Sequence, residues 1–196
     1  LQGEKQKPLI IDQVMDGVRL RGELGPFIDG RQILFRCVKE AKGKDRIRAW
    51  LRHLFSSAFH QQAVETRFYS MDKKFLSLEP LPVDCARGII SNLVSLYQQG
   101  MRMPLPFFPE SSYAFALHQP SPIEEVGDDE VAERKGMIEA RKKWISGKFH
   151  QGEGEDFAYQ LCFREEPFQN TEFERIAREI YVPFIEASEA GRKGEQ

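Results

Sequence analysis

Residues 18–38, VRLRGELGPFIDGRQILFRCV, alternate between apolar and polar side chains around an Asp-Gly pair. Successive side chains of a β-strand point to opposite faces of a sheet, so this alternation is typical of half-buried strands. Asp29 and Gly30 favour a tight turn, because the central residues of the common short hairpin turns need positive φ. The sequence therefore predicts a β-hairpin that turns at this pair. The apolar face of its second strand is predicted to hold Ile33, Phe35 and Cys37.

A helix is predicted directly after this hairpin. In residues 44–59, KDRIRAWLRHLFSSAF, the apolar residues recur every three or four positions, which places them on one face of a helix. We expect Trp50 to lie in the core on that face. Two short strands are predicted around Asp72–Lys73, and a helix that Asp84 caps is predicted to end at Gly100. The apolar positions of the first helix are Ile47, Trp50, Leu51, Leu54, Phe55 and Ala58.

Prolines interrupt the chain in its middle. Residues 103–112, MPLPFFPESS, are predicted to be non-helical, because proline lacks an N–H donor and favours an extended predecessor. A short helix is then expected from Ser111 or Ser112, and a charged helix over about 129–146. The apolar contacts of the charged helix are predicted to be Ile138, Trp144 and Ile145.

Acidic and capping residues mark the starts of the remaining helices. The segment GEGED, residues 152–156, precedes FAYQLCFRE, and its carboxylates suit the positive end of a helix dipole better than a calcium loop. Thr171 and Glu174 form a capping box for the last helix, which Pro183 is expected to bend or end. Strands first and helices second predict one α+β domain over residues 1–196, with helices packed on a mixed sheet.

Basic residues are concentrated near the hairpin and the first helix. Residues 18–52 hold ten Lys or Arg against four Asp or Glu, whereas residues 110–196 hold eleven against nineteen. Such a patch is typical of a surface that faces nucleic acid or an acidic partner, and equally of a solvated helix face. The candidate nucleic-acid contacts are Lys42, Lys44, Arg46, Arg48 and Arg52.

Cysteine usage and hydropathy indicate a compartment. Cys37, Cys85 and Cys162 lie far apart and form no CxxC pair, which argues for a reducing environment and against a structural zinc site. No apolar run reaches the length of a membrane span. We therefore expect a cytoplasmic protein with no membrane partner.

Several kinds of site have no support in the residues. No GxSxG, P-loop or GxGxxG motif is present. His53, His60, His118 and His150 follow no ligand spacing, so we interpret them as surface or half-buried residues and expect neither a metal nor a cofactor. The segment 104–109, PLPFFP, fits either a strand that docks on an aromatic groove or a strap anchored in the core, and the sequence does not separate the two.

Five segments occur in an order and spacing that resemble one family. They are DGVRLRGEL, AWLRHLF, LYQQGMRMPLPFFPES, GEGEDFAYQLCFRE and YVPF, and the GMxxPL and GEGxD pieces are the most specific. The chain resembles the C-terminal domain of RecC, the gamma subunit of exodeoxyribonuclease V, the RecBCD helicase-nuclease. The resemblance implies a nuclease-like fold of the PD-(D/E)xK type, a piece of a much longer chain, and RecB-like beta and RecD-like alpha subunits and DNA as partners.

The resemblance also implies that the nuclease site is degenerate. Active relatives carry one Asp on the first strand and Asp-x-Lys on the second, which hold Mg²⁺ beside the attacked phosphate. Alignment on those motifs places Gly25 at the first Asp, Arg36 at the second Asp and Val38 at the Lys. An arginine repels a cation. Glu23 and Asp29 are not expected to converge in a shifted register, because one lies on a strand face and the other in the turn.

Three hypotheses follow for the function. The first is a non-catalytic domain of the gamma subunit that serves subunit assembly and DNA guidance during double-strand break repair and recombination. The alternatives are a free-standing Mg²⁺-dependent DNA nuclease and a small non-specific DNA-binding module. The sequence leaves enzymatic activity of the domain uncertain and predicts no catalytic residue.

Overall fold

The computed structural model describes residues 3–71, 75–119, 129–148, 151–163, 166–169 and 171–193. The chain divides into two units. The first unit comprises residues 1–101 and 187–196, and the second comprises residues 102–186. Helices and strands are both present and the larger sheet is mixed, so the α+β prediction is confirmed.

All strands of the described residues lie in the first unit. They are β1 (Lys5–Gln6), β2 (Leu9–Met15), β3 (Val18–Leu24), β4 (Phe27–Ile28), β5 (Arg31–Phe35), β6 (Glu65–Tyr69) and β7 (Phe75–Leu78). The larger sheet has the order β1-β4-β5-β6-β7, and β2 and β3 form a separate antiparallel ribbon. β6 and β7 pair antiparallel, as the predicted second hairpin requires. The turn predicted between them, at Asp72–Lys73, lies outside the described residues.

The Asp-Gly turn is confirmed, but the partner predicted for its second strand is wrong. Asp29 and Gly30, both at positive φ, join β4 to β5, not β3 to β5. β3 pairs instead with β2 through a second Asp-Gly turn at Asp16–Gly17, also at positive φ. The strand that was predicted to run into the turn is interrupted at Pro26, which has no N–H to donate to a ladder.

The buried face of β5 also differs from the prediction. Ile33 is buried, but Phe35 and Cys37 are exposed. Leu34, on the opposite face, packs with Ala49 and Phe68. The helix that follows β5 covers the face of Leu34. The predicted apolar face is therefore buried only at Ile33, and the opposite face is buried as well.

Two helices pack in the first unit. The helix α1 (Gly43–Phe59) connects β5 to β6, which are parallel neighbours. Parallel strands need such a crossover, because a short turn can join only antiparallel strands. The helix α2 (Val83–Gly100) ends at the predicted glycine, but it begins at Val83 with Pro82 as its N-cap, so Asp84 lies in the first turn and does not cap the helix.

The second unit contains the remaining helices. They are α3 (Pro109–Ala116), α4 (Asp129–Trp144), α5 (Phe157–Cys162) and α6 (Thr171–Lys193), with short 3-10 turns at Glu153–Glu155 and Pro167–Gln169. The residues of α6 from Ala187 onward are part of the first unit. Phe108 is completely buried, and its ring lies 4.5 Å from that of Trp144 and 4.9 Å from that of Tyr159. These contacts favour the core-anchored interpretation of PLPFFP, because its second phenylalanine is the centre of an aromatic cluster.

Three predictions about the second unit are wrong, namely the start of the short helix and two contacts of the charged helix. α3 begins at Pro109, two residues before the earlier of the predicted serines, because proline suits the first helical position. Ile138 and Ile145 are exposed and are not the contacts of α4. That helix instead approaches α3 at Gly136, where a Cβ would lie 2.8 Å from the Phe115 carbonyl oxygen.

The acidic segment has two capping roles. Asp156 caps α5 by accepting a hydrogen bond from the Ala158 N–H at 3.0 Å, as the sequence predicts. Glu153 accepts hydrogen bonds from the backbone N–H groups of Glu110 and Ser111 at 3.0 and 2.7 Å, so it caps a different helix, α3. Pro183 lies inside α6 and does not end it, since the helix continues to Lys193.

A buried chain of polar side chains fixes α1 on the sheet. The His53 ring nitrogen Nδ1 lies 3.0 Å from the Thr66 hydroxyl, which donates to the Gln32 side-chain oxygen at 3.2 Å. All three residues are fully buried. The prediction of a surface or half-buried histidine is therefore wrong at this position, whereas His60 and His118 are half-buried as expected and His150 lies outside the described residues.

Trp50 gives a direct test of this packing. It is fully buried on α1, as predicted, so Trp50→Ala is expected to lower the free energy of unfolding by about 3–5 kcal/mol. The exposed Lys44→Ala on the same helix is the control and is expected to change it by less than about 0.5 kcal/mol. Urea denaturation of the two variants measures both values. Equal midpoints for Trp50→Ala and the unmodified chain would contradict the packing of α1.

His53 predicts a pH dependence of stability. Burial lowers the pKa of His53 to about 4, and the backbone of Glu79 opposes that shift. Between pH 6.5 and 4 the unfolded chain binds a proton at this residue and the folded chain does not, so stability falls as the pH falls. The slope from this group is about 1.4 kcal/mol per pH unit within that window. Urea midpoints between pH 4.5 and 7.5 are expected to fall less steeply in His53→Gln, and parallel curves would contradict the assignment.

Candidate nucleic-acid interface

A cleft of about 490 Å³ lies beside the end of β5. It forms because β4 is short and pairs only with Arg31 and Gln32. The Ile33 N–H still donates to the Pro26 carbonyl at 3.0 Å, and beyond that residue this edge of β5 has no neighbouring strand among the described residues. The cleft is bounded by the Gly25–Pro26 segment, the end of β5 and the side of α1.

Arg36 follows β5 directly and pairs with the first turn of α1. Its Nε lies 3.0 Å from Oδ1 of Asp45, and the other oxygen of that carboxylate accepts a hydrogen bond from the Lys42 N–H at 3.3 Å. The Asp45 side chain is only 8% exposed, whereas that of Arg36 is 48% exposed. The pair therefore neutralises a nearly buried carboxylate and keeps part of the guanidinium in contact with solvent.

Two further arginines of α1 line the same cleft. Arg48 is exposed and Arg52 is half-buried, and they lie one helical turn apart. Within the described part of the chain, neither guanidinium makes an ion pair or a hydrogen bond. Lys44, one turn earlier, continues the same helical face but does not line the cleft. The result is a row of basic side chains along one side of α1.

A second groove of about 400 Å³ continues the cleft past Gly25 and Pro26. It shares Arg52 with the cleft and adds Lys5 and Glu23. Along the two together, basic side chains outnumber acidic ones. The basic residues are Lys5, Arg36, Arg48 and Arg52, and the acidic ones are Glu23 and Asp45. Such a surface attracts polyanions because its net charge is positive.

The structure brings only some of the candidate residues together. Gly25 and Arg36, two of the three positions that the resemblance aligns with nuclease residues, line the cleft. Val38 does not line it, and its backbone instead bonds to Met71. Of the five basic candidates, two lie in the cleft and the others do not. Those outside are Lys42 at the N-cap of α1, Lys44 beyond the cleft and Arg46 on another side of the helix.

The carboxylates near the cleft do not converge. Glu23 lines the second groove, and Asp29 lies in the turn, where its side chain accepts a hydrogen bond from the Glu4 N–H at 2.9 Å. Asp45 is held by its partners Arg36 and Lys42. No cluster of three His, Cys, Asp or Glu with metal-binding geometry occurs within the ranges that the structure describes.

Sequence reasoning missed two residues of the cleft. Asp45 carries a signal that was available, because an acidic residue in the first turn of a helix that follows a basic hairpin is placed to pair with it. Phe35 was assigned to the apolar face because it lies at every second position with Ile33 and Cys37, and its exposure became evident only once the position of α1 was known.

No helix in the described ranges is both long and apolar enough to cross a membrane.

Comparison with known protein families identifies the family of this chain. The family model for the RecC C-terminal domain matches residues 1–120. The match includes both sheets, α1, α2 and the whole cleft, and the GMRMPL segment lies within it while GEGED lies outside. A search of curated proteins found no match. Because the matched residues make up more than half of the chain, this chain belongs to the RecC C-terminal domain family.

Proposed function

We propose that this domain binds DNA through its basic cleft and does not cleave it. Membership in the family implies a domain of the RecC gamma subunit and, through it, of the RecBCD complex. Within that complex the domain serves subunit assembly with RecB-like and RecD-like partners and guides DNA during repair in the cytoplasm. The observation that carries the proposal is the composition of the cleft, which has three arginines and one carboxylate that is already paired.

The order of elements supports a PD-(D/E)xK-type frame. The hairpin β4-β5, the helix α1 and the parallel strand β6 follow one another in the first unit. In that frame Gly25 and Arg36 take the positions of the two metal-binding carboxylates. Gly25 has no side chain to offer a cation, and Arg36 repels one by several kcal/mol at close range, on the order expected at an effective dielectric near 20. The frame is retained and its metal ligands are replaced.

The same substitution favours binding of a phosphate backbone. An arginine presents its N–H donors in a planar fork that matches phosphate oxygens. Arg48 and Arg52 have no acidic partner among the described residues, so a polyanion does not need to displace an ion pair to reach them. Contacts to phosphates position DNA without reading its sequence. We therefore expect non-specific binding whose affinity depends on salt.

A salt series on the 196-residue chain tests this function. If three or four phosphates are neutralised, the logarithm of the affinity is expected to fall with the logarithm of salt concentration at a slope of about −3. Replacing Arg48 and Arg52 together by Ala is expected to make that slope shallower by about one to two. Fluorescence anisotropy with labelled DNA measures the slope, and Lys135→Ala with Lys143→Ala, two exposed charges of α4, is the control for lost charge.

Two results would contradict the proposal. A slope that is the same in the Arg48/Arg52 double variant and in the unmodified chain would show that DNA binds elsewhere. A loss of anisotropy over time in Mg²⁺, prevented by EDTA, would show that the domain cleaves its probe.

A further inference from the structure

Phe35 is an exposed aromatic residue in the lining of the cleft. Its side chain is 62% exposed, and it is the last residue of β5, next to Arg36. The edge of β5 here is open among the described residues because β4 stops short of it. Large apolar side chains are commonly buried. Phe35, exposed in a cleft that Arg48 and Arg52 also line, gives that cleft an apolar surface as well as a charged one.

The strand geometry places the Phe35 ring and the arginines of the cleft on opposite faces of the sheet, at its edge. Leu34 and Arg36 lie on the face that α1 covers, since they contact Ala49 and Asp45 of that helix. Phe35 lies between them in sequence, so its side chain belongs to the opposite face. A polymer that crosses this edge therefore meets cationic groups on one side of the strand and an aromatic face on the other.

This combination suits single-stranded DNA better than duplex DNA. A single strand exposes the faces of its bases, so that one base can stack on an aromatic ring while the flanking phosphates bind basic groups. In a duplex the bases are already stacked and paired, and only phosphates and groove edges are available. Arg48 and Arg52 lie one turn apart on α1, a spacing of about 6 Å along the helix axis, which suits two phosphates of one strand.

We infer that the cleft is a single-strand binding site in which Phe35 stacks on a base while Arg48 and Arg52 hold the adjacent phosphates. The inference rests on the proposed function and adds to it the class of DNA and the residue that selects it. The stacking surface does not read sequence, because every base has an aromatic face.

The test compares single-stranded and duplex probes on the 196-residue chain. The probes are a fluorescein-labelled thymidine 12-mer and a labelled duplex of the same length. Phe35→Ala is expected to weaken binding of the 12-mer about tenfold and to leave duplex binding and the salt slope unchanged. Phe35→Tyr is expected to retain the affinity of the unmodified chain, because tyrosine keeps the aromatic face. Thermal denaturation of each variant confirms that the fold is intact.

Phe157→Ala is the matched control. Phe157 is 72% exposed, lies on α5 and does not line the cleft, so its loss is expected to change neither affinity. If the unmodified chain binds both probes with the expected salt slope and Phe35→Ala binds the 12-mer equally well, the stacking role is overturned and the DNA-binding proposal stands. If Phe35→Ala weakens binding of the 12-mer and of the duplex equally, the stacking role is also overturned. If the unmodified chain binds neither probe, both proposals are overturned.

Discussion

The ion pair between Arg36 and Asp45 joins the end of β5 to the first turn of α1, and the character of the cleft depends on it. Asp45 is almost buried and would be costly to leave unpaired, since a buried charge without a partner is strongly destabilising. Its two oxygens are satisfied by the Arg36 guanidinium and the Lys42 N–H. Because this carboxylate is engaged, no acidic side chain of the described residues compensates the positive charge of Arg48 and Arg52 in the cleft.

The position of α1 follows from apolar and polar contacts together. Trp50 and Leu54 bury one side of the helix, and the chain from His53 through Thr66 to Gln32 fixes its register on the sheet. A hydrogen-bonded chain of this kind is specific, because a shift of the helix would break the hydrogen bonds between its buried members. The basic side of α1 then faces the open edge of β5. The position of the basic side of α1 is thus a consequence of how the opposite side of the helix packs.

Local sequence signals predicted single turns and helices better than they predicted which strands pair. The Asp29–Gly30 turn and the helix around Trp50 were recoverable because each is determined by neighbouring residues. The strand that pairs with β3 was not recoverable. Asp16–Gly17 is a second Asp-Gly pair that can form a hairpin turn, and only the strand register shows that β3 pairs with β2.

Burial at single positions depended on distant residues. His53 is buried because Thr66 and Gln32 supply partners, and Glu153 caps a helix 42 residues earlier in the chain. No spacing within a single segment carries that information. In the cleft, Arg36 was singled out in advance from the resemblance of its motif, whereas the Asp45 partner and the exposed Phe35 required the packed structure.

We propose that Arg36 stands where a nuclease of this type holds a metal ligand, and binding of Mn²⁺ tests this most directly. Electron paramagnetic resonance distinguishes free from bound Mn²⁺ as the ion is added to the 196-residue chain. We predict that the signal stays that of the free ion, because the described carboxylates near the cleft are paired or do not converge. A stoichiometric Mn²⁺ site that disappears in Asp45→Asn would contradict the account.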